Sequence, residues 1–154
     1  MSLIPNNELV ARAWLIAAVS DLSSDKVATT LADPPWPDNE FVQIMQVGGS
    51  SNPELPVMEP VVSVNCFAFK PGSAKPPWGQ ANHLASAIWK ACYAARYNPS
   101  SVVLPSMPSG YGAALIRSVY PVSLPRRVPS DPSQYAVYNL DVAFSWVPSS
   151  EVFA

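Results

Sequence analysis

The chain has 154 residues, 18 prolines, a formal net charge of -2 and only 13% charged residues, against a usual share of about 25%. A chain of this length fits one domain that buries roughly 70% of its unfolded surface. The absence of a long basic run argues against free-standing DNA or RNA binding through phosphate contacts. The low charge has two readings: a surface of Ser, Asn and Pro, or a surface buried against other chains.

In chain order, Asn6 or Asn7 can cap a first helix over residues 8–22, with Glu8 in its first turn. Leu9, Val10, Ala13, Trp14, Ala17 and Ala18 form its apolar stripe. The apolar run 13–19 is too short to span a bilayer, and Glu8 and Asp21 flank it rather than a basic segment. The expectation is folding in a cytoplasm, with no membrane partner. Residues 26–31 read as a strand or a turn, and 32–39 as a stiff proline loop around Trp36. Residues 41–47, FVQIMQV, are β-type, and Gly48-Gly49 ends them. A polar, proline-punctuated connection leads to the apolar run 60–69, PVVSVNCFAF, a second strand.

The longest clean helical period lies over residues 78–97. Ala81, Leu84, Ala85, Ile88, Cys92 and Ala95 share one face at spacings of three and four. Pro76-Pro77 precedes this helix and Asn98-Pro99 stops it. Its alanine-rich stripe predicts close packing on the sheet that holds strand 60–69. Residues 111–122 hold a further strand, 124–133 are proline-broken around Arg126-Arg127, and 135–147 alternate cleanly as the last strand. The expected fold is α+β: an antiparallel or mixed sheet of four or more strands with two helices on one face, in the order α-β-β-α-β-β. It is a single domain over 1–154.

No constellation for chemistry emerges. His83 lacks metal or base partners at suitable spacing and falls at the edge of the core or against a neighbour. Asp33, Asp38 and Glu40 are separated by prolines and solvate a loop. Gly48-Gly49 lacks the following helix of a phosphate cradle, and Ser109-Gly110 is not in a GxSxG setting. Cys66 and Cys92 read as buried free thiols, with a disulfide geometrically conceivable, and one histidine with no CxxC makes no zinc site. Arg126-Arg127 is a solvated tip or a contact for an acidic partner. No catalytic, cofactor-binding or metal residues, and no cofactor, are expected.

VARAWLIAAV in the first helix, FVQIMQVGG, PVVSVNCFAF, the helix with ANHLASAIWKA, and QYAVYNLDVAFSW together resemble the tail terminator (tail completion) proteins of long-tailed bacteriophages. These segments cover most of the chain in that family's order; the proline-rich stretches 71–77 and 101–108 have no counterpart. The resemblance implies a structural virion protein rather than an enzyme. It implies a homo-oligomeric ring, usually a hexamer, at the head-proximal end of the tail, assembled in the host cytoplasm. Its partners would be the major tail tube protein and the head-tail connector or stopper protein, with DNA only passing through the lumen. Ring contacts are expected from loops beside the sheet, through Gly48, Gly49, Lys70, Lys75, Trp78, Arg126 and Arg127. Two other classes stay open: another neck or head-tail joining protein, and a small enzyme or ligand-binding domain.

Overall fold

A computed structural model describes residues 4–104, 111–129 and 135–148. Residues 105–110, with Ser109-Gly110, and 130–134 of the proline-broken stretch lie outside them. The described residues form two α-helices and one mixed sheet, an α+β fold.

Helix α1, Asn7–Ala18, starts because Asn6 turns its side chain back: Oδ1 accepts from the Leu9 N–H at 2.7 Å. It stops four residues before the expected end. Val19 is extended, and its N–H still reaches the Leu15 carbonyl. The chain then turns so that Val19 and Leu22 enter the core separately. The buried stripe is Val10, Ala11, Trp14 and Leu15, whereas Ala17 and Ala18 are exposed. Of the expected stripe, Val10 and Trp14 are buried and Leu9 and Ala13 pack against the core; Ala17 and Ala18 are too small to mark the inward side at the helix end.

Strand β1, Val27–Ala28, pairs in parallel with β2, Glu40–Ser51, which pairs antiparallel with β3, Met58–Phe69. Helix α2, Trp78–Ala95, follows, then β4, Ser100–Val102, β5, Ala114–Pro121, β6, Arg126–Arg127, and β7, Tyr135–Pro148. The sheet order is β1-β2-β3-β7-β5-β4, with β6 also paired to β7. The last strand is thus central, inserted between β3 and β5. Three short strands, β1, β4 and β6, are absent from the six-element order read in the sequence. Each holds two or three residues, too few for a periodic signal, and exists because a longer strand offers its backbone as a template.

One continuous core joins Val10, Trp14 and Leu15 of α1 and Leu84, Ile88 and Cys92 of α2 to Ile44, Val64, Leu140 and Phe144 of the sheet. Trp14 meets Phe144 edge-on, ring centroids 5.7 Å apart. The predicted face of α2 is the buried one: Ala81, Leu84, Ala85, Ile88 and Cys92. Ala81 rests over the paired Ala68 and Ala136, where the absence of bulk lets the helix start come close. Cys66 and Cys92 are free and buried. Desolvation pushes both thiols up, Cys92 to about 12, which keeps them protonated and unreactive at neutral pH.

Two strands change phase. β2 does not end at Gly48-Gly49 but continues to Ser51 past a bulge between Gln46 and Gly48. β5 shifts register between Ile116 and Ser118, so Ala114, Ile116 and Val119 are buried together, not Ala114, Ile116 and Ser118.

Candidate functional surfaces

The glycine pair expected as a loop contact is built into β2. Gly49 has φ +145°, and its α-carbon side faces the β3 backbone across the bulge. Glu59 of β3 bonds Ser50 beside it through Oε2 at 3.1 Å. Upstream, the unpaired edge of β2 is protected: Glu8 of α1 accepts the Gln46 N–H at 3.1 Å, which also offsets the helix dipole. Past the bulge, residues 47–51 are exposed.

Lys70 and Lys75 are exposed in the turn leading into α2 and form no ion pair among the described residues. Gly72 there takes φ +77°, and Ser73 Oγ bonds the Lys75 N–H at 3.2 Å. Trp78 is the first residue of α2, where the helical period over 78–97 begins. Arg126 and Arg127 are both exposed, but on a strand rather than a loop tip. They form β6, in register with Asn139 and Tyr138. Register sends the two side chains to opposite faces. Arg127 lies over the Trp78 ring, 5.1 Å from its centroid, and Trp78 meets Tyr138 edge-on. Of the seven candidates, the fold therefore stacks Trp78 and Arg127 together, while Arg126 stands exposed on the other face.

The acidic group is also organised differently from expectation. Lys26 is 4% exposed, and its Nζ donates to the Asp21 carbonyl at 3.1 Å and to Asp38 at 2.7 Å, with Glu40 at 3.6 Å. Asp38 and Glu40 thus hold a buried cation rather than solvate a loop; Asp33 is exposed and takes no part. Burial alone would lower the Lys26 pKa, but the Asp38 hydrogen bond and the Glu40 charge together raise it above its ordinary value. Asp38 reaches the ammonium from a left-handed conformation, φ 53°, which a short polar side chain tolerates. Gln80 of α2 donates to the Asp38 carbonyl and to Glu40, tying the helix to this cluster.

His83 is exposed on α2 and forms no ion pair among the described residues. Among the described residues no group of three or more His, Cys, Asp or Glu could hold a metal ion. No helix there is long and apolar enough to cross a membrane.

Two features escaped the sequence reading. Asn139, 5% exposed, donates to Ser63 Oγ and Asn65 Oδ1 across β3, and its own Oδ1 has no partner. The other is an aromatic groove between α2 and β5. Trp89 and Tyr93 stack with centroids 5.1 Å apart, and Arg96 lies over Tyr93 at 3.7 Å and Tyr97 at 4.8 Å. Trp89, Tyr93 and Tyr97 recur every four residues, a second stripe that the alanine-rich one obscured.

No protein-family model matches this chain, and no curated protein matches it.

Proposed function

We propose that this chain is a structural assembly protein of a phage virion, a terminator-like ring that caps the head-proximal end of the tail tube. The observation that carries the reading is apolar exposure in a charge-poor chain. Met45, Val47, Leu55, Tyr97, Val103, Tyr120, Val122 and Leu124 are each about half exposed or more. They lie along the β2 edge, in the β2–β3 loop and around α2, β4 and β5 rather than scattered singly on helix backs. Such surfaces mark sites covered by other chains. Both helices over one face of the sheet, the finer architecture read from their apolar stripes, is supported by the core that α1 and α2 share. In this reading the ring is homo-oligomeric, six subunits, seated between tube and connector. Arg126 and Lys70 then face protein neighbours or outside solvent rather than the lumen, because clustered cations there would bind the passing DNA phosphates.

The test is imaging of tails assembled without this protein. Tubes of uncontrolled length are expected. Normal-length tails without heads would favour a head-tail joining role instead, and normal head-attached tails would sink both.

A further inference from the structure

The groove between α2 and β5 is about 500 Å³, and its aromatic floor carries one cation, Arg96. Tyr97 is 80% exposed, Tyr93 46% and Tyr120 48%. Trp, Tyr and Arg are the side chains that anchor protein interfaces, because each gives a large contact area and a polar tip. An aromatic floor of this kind suits a ligand that is apolar, poor in N–H donors and negatively charged at one point. Proline-rich segments meet the first two demands.

The chain presents such a segment itself. Between β2 and β3 lies Pro53-Glu54-Leu55-Pro56, all exposed, with Leu55 57% accessible. The two prolines carry no N–H. Asn52 Oδ1 accepts the Glu54 and Leu55 N–H groups at 2.8 and 3.1 Å, and the Val57 N–H returns to the Leu55 carbonyl at 2.8 Å. Val57 is buried and anchors the far end. The loop is held in shape, so docking it costs little ordering. The Glu54 carboxylate has no ion-pair partner among the described residues. No residue of the loop lines the groove of its own copy, and β7 stands between the β2–β3 hairpin and β5.

We propose that the groove receives the 53–56 loop of a second copy, with Glu54 against Arg96 and Leu55 on the tyrosines. Donor and acceptor are different surfaces of one chain, so the contact is heterologous and repeats head to tail until it closes. It names the interface of the proposed ring and rests on that reading only for closure.

Two full-chain variants separate the halves. Leu55→Asp spoils the loop and leaves the groove; Tyr97→Asp spoils the groove and leaves the loop. Both positions are solvent-exposed, and matching thermal melts check that each variant folds. Sedimentation should show self-association weakened about tenfold or more in each alone, the scale of losing one interface anchor. An equimolar mixture should form pairs that grow no further. A synthetic peptide of residues 51–58 should bind Leu55→Asp and fail to bind Tyr97→Asp. Oligomers unchanged in both variants would overturn the contact and leave the ring to another interface. A monomeric wild type whose groove still takes the peptide would uphold the contact and end the ring reading. A monomeric wild type whose groove ignores the peptide would end both.

Discussion

At Gly49 a Cβ would stand 2.9 Å from the Pro60 Cα and 3.0 Å from the Glu59 carbonyl, with φ already at +145°. Both atoms are backbone, so nothing can move aside cheaply. Gly49→Ala should cost about 1–3 kcal/mol. Gly48→Ala, whose Cβ would meet only Val61 at 3.9 Å, should cost under about 1 kcal/mol. Urea melts of the two variants separate these outcomes. Lys26 poses the opposite problem, a buried charge that needs its partners. Lys26→Met should destabilise by about 1–2 kcal/mol at pH 7, the low side of a charged hydrogen bond because Asp38 is 78% exposed. The raised pKa sets the sign with pH. Lys26 is charged in both states below its ordinary value of 10.5, so its contribution is complete there. It is lost as pH climbs through the higher folded value. The wild-type advantage over Lys26→Met should therefore hold from pH 7 to 9 and shrink above about pH 10.5; an advantage that grew with alkali would contradict this account.

Of the two helices, α2 is the more deeply engaged, because it packs on β3, β5 and β7 at once. Ile88 is fully buried at the middle of that seam. Ile88→Asp places an unpaired charge there and should cost about 4 kcal/mol or more, enough to unfold many domains of this size. Lys90, on the exposed side, should tolerate aspartate within about 0.5 kcal/mol. Equal losses of melting temperature in the two variants would mean that the helix face is misassigned. Helix α1 adds side-chain hydrogen bonds to its buried stripe. Trp146 Nε1 donates to Asn7 Oδ1 at 2.9 Å, Asn7 bonds Gln46, and Arg12 donates to the Val27 and Ser24 carbonyls. Those bonds join the first helix to Gln46 of β2, to β1 and the turn before it, and to the last strand.

For the whole molecule, closure of the sheet depends on its last strand. β7 enters between β3 and β5, so the central ladder forms only when the C-terminal segment arrives. Its pairings with β3 join residues far apart in sequence, an arrangement that slows folding relative to local contacts. The finished sheet has short outer strands, β1 and β4. Short edges limit indiscriminate strand pairing, which in the proposed assembly leaves association to side-chain surfaces such as the α2–β5 groove.

What the sequence determined by itself is what a local period can encode. Ile88 and its neighbours at spacings of three and four marked the buried face of α2. The alternation from Ala136 to Trp146 marked the core side of β7. Asn6 could be read as a cap because its bond spans three residues. The tertiary structure alone decided the rest. Lys26 lies in an irregular turn, and only the fold brings Asp38 and Glu40 to its ammonium. Arg127 reaches Trp78 only because β7 lends β6 a backbone to pair with. Gly49 looked like the end of a strand because no local signal reveals that Pro60 backs against it. The groove was hidden because half of it is on a helix and half on a strand. Periodicity reports which side of an element faces inward; it carries no information about which distant residue will be waiting there.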